Sequence, residues 1–376
     1  MIRIKEEKLL IKPSDINPSG KEFKIIGTLN PAAARLPNGD IVLYVRVIEK
    51  LINDKDKNNY FSPIMIGKNK FKIKLEKFSK KIVKSKHDLD FIFKDEIKRL
   101  TFISHLRRLI IDPNGFRIKH IDTKPSFYGL SWDGELGIED PRITKINDLY
   151  IMTYVNLSLQ ENISTSYAIS NDCMKWYRRG IIFREQNKDV IIFPERINNE
   201  YAAIDRPEGN FRFSSPHMRV SFSKDLEEWS GPSSLILSKK PSWDSGRVGA
   251  GPPPIKTEKG WLLLYHGVIE PKEENRFTQE LKKILNLKNK KRTKYVVGAV
   301  LLDLKNPKKV IARSKHPILL PRLKYEKGTF EDKDIIFPTA IVPDRYNEDL
   351  LIYSGAGDIY TTVKRISLNE ILNALD

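Results

Sequence analysis

The chain has 376 residues, 40% of them hydrophobic, which is enough for a folded domain with a substantial core and argues against a disordered or fibrous protein. Its formal net charge of +18 suggests a nucleic-acid ligand at first. The Lys and Arg residues are spread along the chain, however, and no nucleic-acid-binding motif accompanies them. We therefore expect no nucleic-acid partner, although a positive field can attract a small anion such as phosphate.

The sequence contains no apolar run long enough to cross a bilayer. Residues 1–15 carry charges where a signal peptide needs an apolar stretch, so we expect a cytoplasmic protein with no membrane partner. The single cysteine, Cys173, cannot form an internal disulfide. Because the six histidines do not cluster either, the sequence predicts no metal site and no cofactor.

Short β-rich segments bounded by Gly, Pro, Asn and Asp recur along the chain, which predicts an all-β protein. One pattern recurs five times: a polar turn leads into an apolar strand. In chain order its copies are 38–46, 148–156, 198–206, 259–267 and 347–355. Helical periodicity is limited to 277–289 and 366–376, so we expect only a few peripheral helices.

A second repeat has the form S-x-D-x-x-x-W and occurs at 170–176 and 223–229, each time after an alternating strand. Two copies of one turn indicate a repeated four-stranded unit. Together with the five strand copies, this predicts one five-bladed β-propeller domain over residues 1–376.

Similar ends of the five repeated strands would meet at one mouth of such a ring. The residues at those ends are polar or charged in every copy: Arg46, Asn156, Arg206, His266 and, just beyond the fifth strand, Asp358. A propeller with only a structural role does not need polar residues at all five positions, so we predict a polar axial pocket. The alternative is that these are ordinary rim residues bonded to neighbouring blades.

The segment GIEDPRI, residues 137–143, places two acids and an arginine around a proline. In an extended strand Glu139 and Asp140 would point in opposite directions, so only one could face the axis. Pro141 favours extended geometry for the residue before it, which would fix the direction of Asp140. Arg142 is expected to brace the acid or to bind substrate.

The segment 246–268 combines glycines and consecutive prolines, which form a rigid loop that lacks several backbone donors. It opens with Arg247 and includes His266 at the end of the following strand, so the two side chains could share one anion. A tight corner with no ligand explains the same residues equally well.

Ten blocks occur in the order expected of glycoside hydrolase family 130, and the chain resembles that family from about Asn30 to Asp358. The blocks are LNPAAARL, LYVR, GIEDPRI, KDVIIFPERI, YAAIDRP, RVGAGPPPI, GWLLLYHGV, YVVGAVLLDL, HPILLP and YSGAGD. The resemblance implies a five-bladed propeller that acts on β-mannosides as a phosphorylase or a mannosidase. Segments near 50–100 and 270–294 match less well and have the character of insertions, and we hypothesise that they carry contacts of a homo-oligomer.

The resemblance also implies roles for individual residues. It makes Asp140 the general acid, which in this family can act through a sugar hydroxyl. It places Asn30, Arg46, Arg247 and Asp358 around the sugar, and Lys188, Arg206, His266 and Tyr295 around inorganic phosphate. The chain departs from the usual phosphorylase pattern at Lys188-Asp189, where Arg-Asn is common, and at Arg247, where Lys is common.

The nucleophile separates the functional alternatives. In an inverting phosphorylase, phosphate itself attacks the anomeric carbon, so one carboxylic acid and a cationic clamp suffice. A β-mannosidase would need a second carboxylate to activate water, and Asp189 and Glu195 are the candidate general bases. The cations favour the phosphorylase, with an oligosaccharide and phosphate as partners. A non-catalytic propeller that binds glycan or protein remains the third alternative.

Overall fold

A computed structural model describes residues 2–184, 186–208, 217–236, 242–270, 292–330, 333–344, 346 and 348–375. These residues form an all-β protein, with one short α-helix, α1 (Leu368–Leu372), and single 3-10 turns at Pro13–Asp15, Lys80–Ile82 and Lys324–Glu326. The predicted C-terminal helix therefore shortens, because a strand continues to Ser367. The predicted helix at 277–289 lies outside the described residues. No helix in the described part is long and apolar enough to span a membrane.

The strands are numbered in chain order. They are β1 (Ile4–Ile11), β2 (Phe23–Arg35), β3 (Ile41–Leu51), β4 (Asn59–Met65), β5 (Ile73–Ser79), β6 (Val83–Lys86), β7 (Asp90–Phe93), β8 (Lys98–Leu100), β9 (Phe102–Ile111), β10 (Ile118–Ile121), β11 (Gly137–Ile146), β12 (Leu149–Ser158), β13 (Asn162–Ser170), β14 (Tyr177–Phe183), β15 (Asn187–Ile192), β16 (Tyr201–Pro207), β17 (Met218–Ser223), β18 (Ser230–Ile236), β19 (Arg247–Ala250), β20 (Ile255–Thr257), β21 (Gly260–Ile269), β22 (Lys294–Leu302), β23 (Val310–Arg313), β24 (Lys327–Phe330), β25 (Lys333–Pro343), β26 (Asp349–Ala356) and β27 (Tyr360–Ser367).

Most strands belong to antiparallel units built around a hairpin. Three sheets have four strands each, in the orders β10-β9-β3-β2, β11-β12-β13-β14 and β15-β16-β17-β18. A larger sheet follows the path β1-β27-β26-β25-β22-β21-β19, with β20, β23 and β24 on its edges. Within it, β22 and β25 join in parallel through two residue pairs, Lys294 with Asp334 and Tyr295 with Ile335. This short junction separates two antiparallel units, one of which pairs the N-terminal strand β1 with the C-terminal β27.

The five strands of the repeated pattern, β3, β12, β16, β21 and β26, are buried on both faces. Their side chains meet in five apolar clusters, each shared by two of these strands. Representative pairs are Tyr44 with Met152, Ile151 with Ala203, Ile204 with Leu263, Leu264 with Ile352, and Leu351 with Leu43. Because alternate residues point to opposite faces, each strand contributes to two clusters.

The S-x-D-x-x-x-W repeat forms the same turn twice, between β13 and β14 and between β17 and β18. The aspartate Oδ1 accepts hydrogen bonds from two backbone N–H groups that follow it: Asp172 from Met174 and Lys175, and Asp225 from Glu227 and Glu228. The tryptophans pack into the sheets, Trp176 against Tyr44 and Trp229 against Phe183. These tryptophans are structural anchors.

The predicted insertion near 50–100 is ordered. It contains the hairpin β4–β5 and the small sheet β6–β7–β8, which have no counterpart in the other units. Phe78 packs against Phe91 and Phe93, so this region has an apolar centre of its own. The segment also approaches the site described below, because Leu89, in the turn before β7, lines the pocket.

Candidate active site

Polar side chains from distant parts of the chain line a pocket of about 280 Å³. Ten of the thirteen residues that the sequence singled out for the site are among its lining: Asn30, Arg46, Asp140, Lys188, Asp189, Arg206, Arg247, His266, Tyr295 and Asp358. They come from all five antiparallel units or the turns between their strands. The structure therefore brings together residues that lie up to 328 positions apart in the sequence.

Backbone bulges turn three of these side chains into the pocket. The ladder shifts register after Leu29 in β2, after Glu139 in β11 and after Lys188 in β15. The next residue in each strand has a positive φ: Asn30 at 46°, Asp140 at 48° and Asp189 at 58°. Asn and Asp tolerate this left-handed region better than most residues, and a bulge re-aims the side chain beside it. A bulge with a left-handed residue thus positions one polar side chain on each of the three strands.

The bulge corrects two expectations for GIEDPRI. Asp140 is left-handed and not extended, despite the proline that follows it. Glu139 and Asp140 do not diverge either, since Arg46 Nη2 donates to Glu139 Oε1 while its Nη1 donates to Asp140 Oδ1 at 2.9 Å. Alternation holds only in a regular strand, and the register shift between Glu139 and Arg142 interrupts it here.

Asp140 Oδ1 accepts a second hydrogen bond in addition to the one from Arg46. Asn30 Nδ2 donates to the same oxygen at 2.9 Å. Burial by itself would raise the pKa of Asp140, but the charges of Arg46, Arg142 and Lys188 and the Asn30 hydrogen bond lower it below its usual range. Asp140 is therefore ionised in the free pocket at neutral pH.

A chain of alternating charges forms the other side of the pocket. Asp189 Oδ2 accepts hydrogen bonds from Arg206 Nε at 3.0 Å and Arg206 Nη2 at 2.9 Å. Arg206 Nη1 donates to Glu208 Oε2 at 2.8 Å, and Glu208 Oε1 accepts from Arg247 Nη1 at 2.9 Å. Arg247 Nη2 then donates to the hydroxyl of Tyr295. Such charge-assisted contacts fix the two guanidinium planes.

Asp189 is held as an anion. Burial would raise its pKa, but the positive charges of Arg206 and Arg142 outweigh burial and lower the pKa to about 2. The sequence left open whether this carboxylate would repel phosphate. Its two hydrogen bonds from Arg206 reduce such repulsion, because they pair the carboxylate with a cation on the same side of the pocket.

His266 is neutral at physiological pH. Burial lowers its pKa to about 3, and the nearby Arg206 adds to this effect, although Asp189 opposes it. The imidazole packs against Phe337, with ring centroids 4.6 Å apart, and is nearly parallel to the Tyr295 ring. A neutral imidazole can donate one hydrogen bond and accept another, and its buried Nδ1 has no hydrogen-bond partner among the described residues.

The pocket has no excess of positive charge. Its described lining carries four cations, Arg46, Lys188, Arg206 and Arg247, and four carboxylates, Asp140, Asp189, Glu208 and Asp358. The sequence led us to expect one carboxylic acid facing a cluster of cations. The described lining has the acid and the cations, but three further carboxylates lie among them. Lys188 contacts its nearest carboxylate less closely than the arginines do, with Nζ 3.8 Å from Glu139 Oε2. It is the lining cation best placed to respond to an incoming anion.

Three residues that the sequence singled out lie elsewhere. Arg142 is only 2% exposed and does not line the pocket; it donates to the backbone oxygens of Asp140 and Gly251, so it braces the site and cannot bind substrate directly. Glu195 pairs with Lys256 at 2.5 Å on an exposed surface, away from the pocket. The third residue, at the end of a repeated strand, is Asn156.

Asn156 was expected at the axial mouth but is buried in its own unit. Its Nδ2 atom donates to Asp133 Oδ1 at 2.6 Å and to Ser166 Oγ at 3.1 Å. Asp133 lies in the loop before β11 and also binds Arg178 and the Tyr154 hydroxyl. This loop residue was not part of the repeat, so the strand pattern alone could not reveal the partner that holds Asn156.

Sequence reasoning missed Glu208 and an apolar wall. Glu208 lies two positions after Arg206, a spacing that puts both side chains on the same face of an extended segment and could have revealed it. The wall consists of Ile26, Leu29, Ile48, Leu89, Phe102, Ile335 and Phe337. An apolar surface of this kind suits the C–H face of a sugar ring. In the described part of the chain, no three His, Cys, Asp or Glu side chains converge as metal ligands do.

Comparison with known proteins agrees with the motifs. The family model Glyco_hydro_130, described as β-1,4-mannooligosaccharide phosphorylase, matches residues 93–376. A β-1,2-mannobiose phosphorylase of Listeria innocua is 32% identical over 385 residues, which cover 99% of this chain and 97% of that protein. A 1,2-β-oligomannan phosphorylase of a Thermoanaerobacter species is 34% identical over 237 residues, covering 62% of this chain and 70% of the relative.

A solved structure supports the same assignment. It is that of β-1,2-mannobiose phosphorylase from Listeria innocua in complex with β-1,2-mannobiose. It superposes with a TM-score of 0.81 at 32% sequence identity and covers 97% of this chain and 96% of the solved chain. Because the family model and a full-length relative agree, the chain belongs to glycoside hydrolase family 130, as its motifs predicted.

Proposed function

We propose that the protein is an inverting glycoside phosphorylase that transfers mannose from a β-mannoside to inorganic phosphate. The observation that supports this most directly is that Asp140 shares one pocket with Arg206, Arg247, His266 and Tyr295. The related proteins of Listeria and Thermoanaerobacter carry the names of β-mannoside phosphorylases. Three of the five matched relatives have β-1,2-linked mannosides in their names, so β-1,2-mannobiose is the first substrate to test.

In the proposed reaction Asp140 supplies the proton for the glycosidic oxygen, directly or through a sugar hydroxyl. A phosphate oxygen attacks the anomeric carbon from the opposite face, so that its bond to carbon forms as the bond to the leaving sugar breaks. The products are mannose 1-phosphate of inverted configuration and the shortened sugar. Arg206 is suited to hold phosphate, because a guanidinium group binds its oxygens in pairs. We assign Arg247 to phosphate as well, although the motifs placed it beside the sugar, because Glu208 joins it to Arg206 on the same side of the pocket.

A proton donor has to be protonated when the bond breaks, and Asp140 is ionised in the free pocket because its cationic neighbours lower its pKa. Phosphate would bring negative charge near Lys188, which is one of these cations, and the sugar would exclude water. Both changes raise the pKa of a carboxyl group. We therefore infer that binding of the two substrates is what protonates Asp140.

The hydrolase alternative finds less support. Activation of water requires a carboxylate that can take up a proton, and a pKa of about 2 makes Asp189 a weak base. The second candidate base, Glu195, lies outside the pocket and pairs with Lys256. A non-catalytic binding protein would not need an acid bound to Asn30 and Arg46 opposite two clamped arginines.

We also propose that the five antiparallel units close into a single five-bladed propeller over residues 1–376. The five apolar clusters support this, because they link the repeated strands in the cyclic order β3, β12, β16, β21, β26 and back to β3. Pairing of β1 with β27 would join the two ends of the chain within one blade. A pocket lined by all five units is expected on the axis of such a ring.

We further propose that the inserted segments mediate homo-oligomer contacts. The support is a set of large apolar side chains exposed on the first insertion, among them Leu75, Ile82 and Ile97. Most of the second insertion, near 270–294, lies outside the described residues, so this support concerns the first insertion alone. Light scattering of the full chain, of a Leu75→Ser, Ile82→Ser, Ile97→Ser variant and of a version without 277–294 tests the proposal, and a monomer mass for the full chain would contradict it.

Turnover provides the direct test of the proposed function. The protein is incubated with β-1,2- or β-1,4-mannobiose, with and without phosphate, and the products are separated. We expect mannose 1-phosphate and free mannose only when phosphate is present; mannose released equally without phosphate would indicate a hydrolase. Asp140→Asn should fold and lose about 100-fold or more in kcat, as expected for removal of a general acid. An unimpaired variant would exclude Asp140 from the mechanism.

A further inference from the structure

Glu208 is a carboxylate inside the pocket that the proposed mechanism does not use. It directly follows β16, and its Oε2 accepts a hydrogen bond from Arg206 while its Oε1 accepts one from Arg247. We call the part of the pocket formed by these two arginines the anion-binding side. A carboxylate beside a phosphate site is costly if it acts only as a negative charge, since like charges at contact distance repel. The cost is offset if the carboxylate also bonds to the ligand.

The chemistry of the anion shows how this can occur. At neutral pH inorganic phosphate carries at least one O–H group, whereas sulfate is fully deprotonated and carries none. An ionised carboxylate is a pure hydrogen-bond acceptor with about four lone-pair positions. Among the described residues, Arg206 and Arg247 take two of these positions on Glu208, one on each oxygen, which leaves acceptor capacity on both.

Glu208 is better placed for this role than Asp189. The side chain of Glu208 is 21% exposed toward the pocket, compared with 5% for Asp189. Asp189 Oδ2 already accepts hydrogen bonds from Nε and Nη2 of Arg206. Its Oδ1 lies 3.7 Å from Arg142 Nη2. Burial raises the pKa of Glu208, but Arg206 and Arg247 lower it below its usual range, which keeps it an acceptor at neutral pH.

We propose that Glu208 accepts the hydrogen bond of the phosphate O–H group and so makes the pocket selective for protonated tetrahedral oxyanions over sulfate. This inference rests on the proposed function, because it assigns phosphate to the side of the pocket formed by Arg206 and Arg247. Phosphate gains a hydrogen bond there, while sulfate meets a carboxylate to which it cannot donate. A site built for a ligand hydroxyl rejects analogues that lack it, because its buried acceptor is left unpaired. Arsenate, which keeps an O–H group, is accepted.

Direct binding tests the selectivity without any need for turnover. Dissociation constants of phosphate and sulfate are measured by titration calorimetry at one ionic strength for the wild type and for Glu208→Gln. We expect the wild type to bind phosphate at least about tenfold more tightly than sulfate. In the glutamine variant this ratio should fall by about tenfold or more, because the amide NH2 can donate to a sulfate oxygen.

Two further variants serve as controls. Glu208→Asp keeps the carboxylate and should still reject sulfate, which distinguishes acceptor chemistry from disturbed folding. Glu227→Gln removes a surface carboxylate that faces Arg179 at 3.3 Å, and it should leave both dissociation constants unchanged. Circular dichroism and thermal melting establish that each variant is folded.

The outcomes separate this inference from the proposed function. Equal affinity of the wild type for sulfate and phosphate, or an unchanged ratio in Glu208→Gln, overturns the role of Glu208. Selective phosphate binding without phosphate-dependent cleavage overturns the proposed function alone. In the active enzyme, sulfate should compete with phosphate only in Glu208→Gln, and arsenate should replace phosphate in the wild type.

Discussion

Gly355 lies directly against the side chain of Asn30, and a methyl group added at Gly355 would come within 1.9 Å of Asn30 Oδ1. Asn30 Nδ2 holds Asp140 by a hydrogen bond of 2.9 Å. We therefore expect Gly355→Ala to push Asn30 out of place and to misplace the acid. A displacement of about 1 Å at a reacting group can cost about 100-fold in rate, so kcat should fall by that order. Steady-state phosphorolysis measures it.

The adjacent residue on β26 provides a matched control. Ser354 points to the opposite face of the strand, and its buried hydroxyl has no hydrogen-bond partner among the described residues. Ser354→Ala should therefore leave kcat close to that of the wild type. If Gly355→Ala also retained full kcat while folded, Asn30 would not be required to position Asp140.

Gly249 has the same role on the anion-binding side. A Cβ atom there would lie 2.4 Å from Asp189 Oδ2, 2.4 Å from His266 Cε1 and 3.0 Å from Arg206 Nε. None of these groups can move freely, since all are buried. Gly249→Ala should therefore disturb the Asp189–Arg206 pair and raise the KM for phosphate by about tenfold or more, which corresponds to about 1.4 kcal/mol of binding energy.

The two glycine variants separate the halves of the pocket. Gly355→Ala should act mainly on kcat and Gly249→Ala mainly on the KM for phosphate, as measured by varying phosphate at saturating mannoside. Both carry an overpacking cost of about 1–3 kcal/mol, so thermal melting has to accompany the kinetics. An unchanged KM for phosphate in folded Gly249→Ala would argue against phosphate binding beside Arg206.

Much of the fold could be predicted because its signals are local. Five similar apolar strands and two copies of one turn reflect side-chain periodicity and Asp–backbone hydrogen bonds, both of which a short segment determines. The bulges at Asn30, Asp140 and Asp189 could not be predicted in the same way. A left-handed residue inside a strand is stabilised by partners on other strands, and Pro141 on its own indicated the opposite conformation for Asp140.

The same distinction between local signals and contacts with distant residues applies to the site. Residues within recognisable motifs, such as Arg206 and His266, were assigned to the pocket correctly. The prediction that Asn156 faces the axial mouth was wrong because its partner Asp133 lies in a loop outside the repeat. Of the two roles expected for Arg142, bracing the acid agrees with the structure and direct substrate binding does not, because spacing alone cannot tell a buried arginine from an exposed one. Glu208 was missed because its function depends on two arginines that only folding brings together.

Lys188 should influence the protonation of Asp140, because its charge is one of those that lower the pKa of that carboxyl. Removing the charge in Lys188→Met raises the pKa, so more of the acid is protonated at a given pH. We expect the alkaline limb of the kcat profile to move to higher pH at saturating phosphate and mannoside. The titration of phosphate itself is common to both enzymes and cancels in the comparison.

The control is an exposed lysine. Lys175 lies over the ring of Tyr177 on the surface, and Lys175→Met should leave the profile unchanged. A limb that moved to lower pH in Lys188→Met, or that did not move, would contradict the electrostatic account of how Asp140 is tuned.

Burial of neutral His266 should make the protein less stable in mild acid. Its pKa of about 3 lies below the usual value of 6.5, so between these values the unfolded chain binds a proton that the folded protein excludes. His266 therefore does not reduce the free energy of unfolding above pH 6.5, but it reduces that free energy by about 2 kcal/mol between pH 6.5 and pH 5. In His266→Asn the decrease between pH 7 and 5, measured by urea unfolding, should be smaller by that amount. His87→Asn, a change at an exposed turn residue, controls for loss of an imidazole. Equal slopes in all three proteins would mean that burial does not lower the pKa of His266.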